Sequence, residues 1–315
     1  MTCGLALDDL PWGTVDLAPA AISMVLSGLC ELLREADERG ESVSCHDTVN
    51  ETPRFGNSSL ATLLTTLPER DLRVELLRRI GKLTSFGDGD LVAFEVVTPD
   101  GVVHLAPSVA WAHQEGHRGR NCGCLTPSSS QRLGAIAIAA ATNGESKTID
   151  VFFIGDGASH VGFFRWTAVR EGADERRFAE LVPFAYPDLH FLEGALRGLR
   201  ALSRPFVDCR DLVMQSLAVL NDHGAGIFTL GQQLKIVDGF RAHGVVISPE
   251  NAETLRDAKC KKERERQLGA ILLVLQWHIK LRKDRDRIHV HPPVMASRGR
   301  VVVGIIHEHL RLPGD

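Results

Sequence analysis

The sequence predicts an α+β protein: a helical N-terminal part, a β-hairpin region, and a C-terminal helix followed by a three-stranded antiparallel sheet. Three observations lead to this class. Apolar residues recur at helical spacing through most of the first ninety residues, short apolar runs joined by turn residues follow, and the last 45 residues alternate between apolar and polar positions. A length of 315 residues is typical of two domains, and we place them at 1–185 and 186–315.

The helical part begins with the segment Pro19–Arg39, whose apolar residues lie on one face and which ends at Gly40. Two shorter helical segments, Leu60–Leu67 and Glu69–Leu83, follow on either side of Pro68. Together they predict that helices dominate the first ninety residues.

The hairpin region contains two pairs of apolar runs, each joined by a turn. The first pair is Leu91–Thr98 with Val102–Ala106, and the second is Ile136–Thr142 with Thr148–Ile154 across Asn143-Gly144. We interpret the segment His113–Ser130, between the pairs, as a long loop, and Val161–Ala168 as a candidate further strand.

Within the C-terminal part, a helix is predicted from Ser248 to about Gln267, because serine and proline are common at helix starts. Three strands follow, Ile271–Leu281, Arg287–His291 and Arg300–His307. In the first of them a period of two separates an apolar face from a polar face that carries His278 and Lys280.

Composition indicates a soluble globular protein, with 44% apolar residues, 24% charged residues and a net charge of −4. No apolar run approaches the roughly 18 residues that a membrane span needs, and the N-terminus lacks a basic and then apolar leader. Seven scattered cysteines do not form a disulfide pattern. We therefore expect a cytoplasmic protein with no membrane partner.

Charge is unevenly distributed along the chain. Residues 256–300 contain thirteen Lys or Arg and five Asp or Glu, a net charge of +8, so the rest of the chain carries −12. A basic surface on an acidic protein favours binding of a polyanion such as RNA. The candidate nucleic-acid-binding residues are Lys261, Lys262, Arg264 and Arg282. The alternative is an ordinary solvated helix, because acidic residues are interspersed.

The polar face of the C-terminal strands supplies the candidate catalytic residues. They are His278, His289, His291, Lys280 and Arg287. Histidines mixed with cations suit phosphodiester cleavage, because the cations stabilise the charged phosphorane while a histidine transfers a proton near neutral pH. This scheme requires no metal and no cofactor. The alternative is a polar exposed sheet face with incidental histidines.

A metal site is a second interpretation of the same strands. His289 and His291 would form a chelating pair, with His278 or His307 as the third ligand. A divalent cation among these basic residues would need a nearby carboxylate, and Glu308 is the only obvious one. A separate set of four residues, His113, His117, Cys122 and Cys124, matches no usual zinc spacing, so we interpret it as part of the loop.

The last 65 residues or so carry a family resemblance. The segments Trp277–Leu281, Arg287–Pro293 and Val303–Leu310 resemble the C-terminal module of uncharacterised bacterial toxin and phage-defence proteins, and more distantly RelE-type ribonuclease toxins. The resemblance implies a small sheet that binds RNA, with Lys280 and Arg287 holding phosphate and His289 or His291 handling protons. Those toxins are single small domains, so the preceding 250 residues leave room for a protein partner.

The expected function is thus that of a toxin-like or antiviral defence protein whose C-terminal domain binds RNA and is a candidate metal-independent ribonuclease. Two alternatives stay open. One is a non-catalytic subunit of a defence complex that uses the basic face for nucleic-acid or protein binding. The other is a histidine-ligated, metal-dependent hydrolase.

Overall fold

The computed structural model describes residues 4–13, 17–142, 145–282 and 285–314. The chain divides into two units, Met1–Thr167 and Ala168–Asp315. Helices and several sheets confirm the predicted α+β class. The boundary predicted after residue 185 lies inside the second unit, at the end of a helix. No helix in the described part of the chain is long and apolar enough to cross a membrane.

The first unit is built on an eight-stranded sheet with the strand order β5-β2-β1-β8-β10-β9-β6-β7. The strands of this unit are β1 (Gly4–Leu7), β2 (Ser42–His46), β3 (Pro53–Phe55), β4 (Ser58–Ser59), β5 (Thr84–Phe86), β6 (Glu95–Val97), β7 (Val103–Leu105), β8 (Cys122–Leu125), β9 (Gly134–Thr142) and β10 (Glu145–Ile154). Its helices are α1 (Pro19–Glu38), α2 (Leu60–Thr66), α3 (Arg70–Ile80), α4 (Pro107–His117) and α5 (Gly157–Arg170), which ends just past the unit boundary.

Five neighbouring strands of this sheet, from β5 to β10, are parallel. Parallel strands need long crossover connections, and the predicted helices supply two of them, α1 between β1 and β2 and α2 with α3 between β2 and β5. The N-terminal part is therefore a mixed sheet with helices rather than a mainly helical region. The sequence did not reveal β1, β2 and β5 because each is only three to five residues long.

Helix α1 has the predicted buried face, formed by Ile22, Leu26, Leu29, Leu32, Leu33 and Ala36. Both predicted hairpins are also confirmed, because β6 pairs with β7 and β9 pairs with β10 in antiparallel fashion. The predicted turn residues Asn143 and Gly144 lie outside the described residues.

Two segments of the first unit differ from prediction. The segment His113–Ser130 is not a long loop, since it contains the end of α4 and the buried strand β8. Helix α4 begins where the Asp9 carboxylate accepts hydrogen bonds from the backbone amides of Ser108 and Val109, about one hundred residues away in the chain. Because this cap comes from so distant a part of the chain, it gives no local sequence signal.

The segment 161–168, predicted as a candidate further strand, is helical and belongs to α5.

The second unit carries a five-stranded sheet with the strand order β11-β17-β16-β15-β12. The strands of this unit are β11 (Leu189–Phe191), β12 (Ile247–Pro249), β13 (Glu265–Leu268), β14 (Ile271–Val274), β15 (Trp277–Lys280), β16 (Arg287–His291) and β17 (Val301–His307), of which β13 and β14 form a separate two-stranded sheet. Its helices are α6 (Glu175–Ala185), α7 (Phe206–Val219), α8 (Ala225–Phe228), α9 (Gln233–Ala242), α10 (Ala252–Arg256) and α11 (Ala258–Glu263). The predicted antiparallel trio is β15, β16 and β17, and β11 and β12 extend it at the two edges. The first predicted strand, Ile271–Leu281, is divided, because its first half forms β14 and pairs with β13 in a separate sheet.

The helix predicted from Ser248 to Gln267 is wrong. Ser248 and Pro249 belong to the edge strand β12, and two short helices and β13 follow. Helix α10 is capped by Asn251 and α11 by Asp257, whose side chains accept hydrogen bonds from backbone amides of the first turns. Pro249 is tolerated because it lies in a strand with a neighbour on only one side.

Substitution of Gly198 tests how closely the second unit is packed around β17. A Cβ atom at this position, in a 3₁₀ helix beside β17, would lie 1.8 Å from the Ile306 carbonyl oxygen. We expect Gly198→Ala to lower the free energy of unfolding by about 1–3 kcal/mol, the usual cost of overpacking, in urea titrations followed by circular dichroism. The matched control is Gly226→Ala in α8, where a Cβ would meet no atom within 4 Å. Equal stability of the two variants would contradict this packing.

Candidate functional site

The candidate site is a pocket of about 430 Å³ in the second unit. Strands β12, β15 and β16 and the residues after β17 form its walls. Four of the five predicted catalytic residues line it, namely His278, Lys280, Arg287 and His289. Two residues that the sequence did not indicate for this chemistry, Glu250 and His309, line it as well.

Strand register explains why these side chains meet. In the antiparallel pairing of β15 with β16, His278 lies opposite His289 and Lys280 lies opposite Arg287. Opposed residues project to the same face of a sheet. On the other side of β15, Ser248 of β12 pairs with His278, and this pairing places Glu250 just beyond the end of β12.

Glu250 is the centre of the polar cluster. Its Oε1 atom accepts a hydrogen bond from Nδ1 of His278 at 3.0 Å and lies 3.3 Å from Nδ1 of His289. The Nε atom of Arg264 lies 3.2 Å from the same oxygen. We call Glu250, His278 and His289 the Glu–His–His cluster.

Burial distinguishes the members of the cluster. The side chains of Glu250 and His289 are 5% and 2% exposed, whereas that of His278 is 14% exposed. Burial lowers the pKa of His289 to about 4, so this imidazole is neutral at pH 7. Burial raises the pKa of Glu250, whereas hydrogen bonding and charge interactions with His278 and His289 lower it. The lowering effects are larger in sum, so the pKa of Glu250 lies below its ordinary value. The site therefore holds an ionised carboxylate beside a neutral, buried histidine.

The two opposed cations of the pocket differ in their partners. The Nη1 atom of Arg287 donates hydrogen bonds to the backbone carbonyls of Arg282 and Arg285, at 2.9 and 2.6 Å. The ammonium group of Lys280 makes no hydrogen bond or ion pair with any residue that the structure describes. Like charges directly opposite each other on a sheet are destabilising. An anion bound between them would remove that cost.

His291 is the predicted catalytic residue that the structure does not bring to the pocket. It is the last residue of β16, its Nδ1 lies 2.8 Å from the Pro292 carbonyl oxygen, and it is not part of the pocket wall. The predicted chelating pair of His289 and His291 is therefore not formed. Glu308, the predicted carboxylate, instead pairs with Arg285 at 3.4 Å.

The predicted nucleic-acid-binding residues fall into two groups. Lys261 is exposed on α11, and Lys262 follows it on the same helix. Arg264 is almost fully buried, because its guanidinium group pairs with Glu250 and donates to the carbonyls of Cys260 and Arg311. Arg282 donates to the Ser203 hydroxyl at 3.3 Å. The charge of Arg264 thus neutralises Glu250 rather than facing solvent.

The four residues of the possible zinc set in the first unit do not form a metal-ligand group. His113 lies in α4, with Nε2 3.0 Å from the Lys147 carbonyl oxygen, while Cys122 and Cys124 lie in β8. Burial raises the pKa of the Cys124 thiol well above its ordinary value, which disfavours the thiolate that zinc requires. Among the described residues, the Glu–His–His cluster is the one group with three potential ligand atoms close together.

Glu250 is a site residue that sequence reasoning missed, and Arg264 was predicted to bind nucleic acid rather than to pair with Glu250. Glu250 was assigned to the first turn of a helix, because the pairing of β12 with β15 is not visible in the local pattern. A cue was present in Val245–Ile247, a short apolar run before Ser248 that also fits an edge strand.

Comparisons with protein-family models, with curated proteins and with solved structures find no match for this chain.

Proposed function

We propose that this chain is a toxin-like or phage-defence protein whose second unit binds RNA in the pocket and cleaves its phosphodiester bonds at the Glu–His–His cluster. The observation that carries the proposal is the convergence of two histidines, a buried carboxylate and two opposed cations on one pocket wall. Pockets with a few convergent polar groups and shifted pKa values are where ligands and substrates usually bind.

Phosphate binding is assigned to Lys280, with Arg287 beside it. Among the described residues the Lys280 ammonium group has no hydrogen-bond or ion-pair partner, and Arg287 lies opposite it in the sheet register. A phosphate oxygen between them would gain a charge-assisted hydrogen bond from Lys280 and reduce the repulsion between the two cations. The exposed Lys261 supplies further positive charge in the same unit. These features favour a polyanion over a neutral ligand.

The chemistry follows from the hydrogen bond between Glu250 and His278. Because the Nδ1–H group of His278 donates a hydrogen bond to the Glu250 carboxylate, Nε2 of the same ring keeps a lone pair and can act as a general base. The proposed base removes the proton of a ribose 2′-hydroxyl while the 2′-oxygen forms a bond to the adjacent phosphorus. The bond from phosphorus to the 5′-oxygen breaks, and His278 returns the proton to that oxygen. The products are a 2′,3′-cyclic phosphate and a 5′-hydroxyl.

In this scheme His289 is a positioning residue. It is neutral and buried, and its Nδ1 lies 3.3 Å from the carboxylate that orients His278. The requirement for a 2′-hydroxyl makes RNA the substrate and excludes DNA from this route. Cleavage products ending in a cyclic phosphate are the direct test of the route.

The binding step is tested by Lys280→Ala. Loss of one phosphate contact is expected to weaken binding about tenfold and to reduce the slope of log K against log salt by about 0.7, the value for one contact on a single strand. The measurement is fluorescence anisotropy between 50 and 200 mM salt. The probe is a labelled 2′-O-methyl RNA 20-mer of mixed sequence, which cannot undergo attack by a 2′-oxygen.

The matched control for this measurement is Lys235→Ala, an exposed lysine of α9 outside the pocket. It should leave both affinity and slope close to those of the wild type. Parallel salt plots for Lys280→Ala and the wild type would remove the assignment of phosphate binding to this pocket.

A further inference from the structure

The same cluster has the geometry of a metal-ligand set. The Nδ1 atoms of His278 and His289 lie 3.0 and 3.3 Å from Oε1 of Glu250, and the ligand atoms of all three residues lie within 4.8 Å of one another. Zinc bonds of about 2.0–2.2 Å to nitrogen and oxygen, arranged tetrahedrally, place neighbouring ligand atoms roughly 3.3–3.5 Å apart. The two spacings at Glu250 are close to that value.

The second observation is the hydrogen-bonding state of His289. Its side chain is 2% exposed, and both ring nitrogens are buried without a hydrogen-bond partner among the described residues. Leaving such a group unsatisfied normally costs about 1–3 kcal/mol. Nδ1 approaches Glu250 closely but is not aligned for a hydrogen bond, so its lone pair is available to a ligand between the two side chains.

Glu250 supplies a negative charge for a bound cation, and the nearby Arg264 and Arg287 side chains are engaged by other groups of the protein. The carboxylate that a metal ion among these basic residues requires is supplied by Glu250 rather than by Glu308, which pairs with Arg285. Arg264 donates to the Cys260 and Arg311 carbonyls as well as pairing with Glu250, so its guanidinium group is fixed beside the carboxylate. Outer partners of this kind orient metal ligands. The Nη1 atom of Arg287 is likewise occupied by backbone carbonyls.

We propose that Glu250, His278 and His289 bind one divalent transition-metal ion, with zinc as the best fit, and leave a coordination position open to the pocket. Two histidines and one glutamate are a ligand set found in hydrolytic zinc sites, which keep a fourth position for water or substrate. An ion at this position would polarise a phosphate oxygen held by Lys280. Metal binding takes the lone pair of His278 Nδ1 and leaves the ring proton on Nε2, so the metal-bound form is an alternative to the metal-free route in which His278 is the base. The inference rests on the proposed function for this role of the ion, but not for its presence.

The experiment uses the full chain, stripped with a chelator and then titrated with Zn²⁺ or Co²⁺. We expect the wild type to bind one equivalent by elemental analysis, and Co²⁺ to show the intense visible absorption of a tetrahedral site. His278→Gln and His289→Gln should each weaken binding more than about 100-fold, because loss of an outer partner alone costs 10- to 100-fold. His223→Gln, an exposed histidine outside the pocket, is the matched control.

Thermal unfolding of the wild type tests metal binding without relying on a variant that could misfold. Zinc should raise the thermal midpoint of the stripped wild type and of His223→Gln, because a ligand that binds only the folded state stabilises it. Absence of a stoichiometric ion in the wild type, or full retention in both cluster variants, would overturn the proposal.

The outcomes also separate this inference from the proposed function. If RNA is bound and cleaved by protein that takes up no metal, the metal site is wrong and the ribonuclease proposal stands. If one equivalent is bound at the cluster but RNA is neither bound nor cleaved, the metal site stands and the ribonuclease proposal is wrong.

Discussion

His278→Gln is expected to slow RNA cleavage by roughly 10²- to 10⁴-fold, the usual contribution of a general acid–base residue. Glutamine has a similar size and can form a hydrogen bond to Glu250, but it cannot take up a proton near pH 7. RNA affinity should stay close to that of the wild type, because Lys280 is unchanged. The measurement is the rate of cleavage of a labelled mixed-sequence RNA, with matching DNA as a substrate that lacks the 2′-hydroxyl.

His291→Gln is the contrasting variant for this prediction. The sequence placed His291 among the catalytic histidines, whereas the structure places it outside the pocket. Its cleavage rate should therefore match that of the wild type. Equal losses in the two variants would contradict the assignment of chemistry to His278, and circular dichroism of each variant shows whether the fold is retained.

Growth arrest on induced expression is the cellular counterpart of this assay. The wild type should arrest growth, and His278→Gln should not. If the wild type neither arrests growth nor cleaves RNA, alone or with the products of neighbouring genes, the ribonuclease proposal fails. The pocket wall that carries His278 and His289 would then serve as a binding surface in a defence complex.

Glu250→Gln is expected to have the largest effect on stability, lowering the free energy of unfolding of the second unit by about 3–5 kcal/mol at pH 7.5. The reason is the buried ion pair with Arg264, whose side chain is 2% exposed and would lose its carboxylate partner. Removing one member of a buried pair leaves an uncompensated charge. Urea titrations of metal-free protein measure the change.

Two further variants make this prediction specific. Glu253→Gln removes a carboxylate from the same pocket, but Glu253 is exposed, so little change is expected. Adding Arg264→Met to Glu250→Gln should restore part of the lost stability, because the unpaired guanidinium is then gone. No recovery in the double variant would contradict a role for the ion pair.

The pH dependence of this effect has a definite sign. Because the pKa of Glu250 is lower in the folded protein than its ordinary value of 4.5, its ionised form stabilises the fold above about pH 4.5. That stabilisation is lost as the pH falls towards the lowered pKa. The difference in unfolding free energy between the wild type and Glu250→Gln should therefore be constant above pH 5 and shrink below pH 4.5.

Local patterns were reliable wherever an element depends on its own residues. The apolar face of α1 and the two hairpins were predicted because helical and strand periods are written in consecutive residues. The parallel strands β1 and β2 were missed because short buried strands carry little alternation, and β5 was missed because it has only three residues. Helix α4 was missed because its start is stabilised by Asp9, from a distant part of the chain.

The sequence by itself determined the α+β class, the antiparallel order of β15, β16 and β17, and the shared face of His278, Lys280, Arg287 and His289. Those features follow from a period of two along single strands and short connections between them. Only the tertiary structure decided that Glu250 joins the histidines and that His291 does not. Glu250 is 28 residues from His278 in the chain and reaches it through the pairing of β12 with β15, and such long-range strand pairing has no local signal in the sequence.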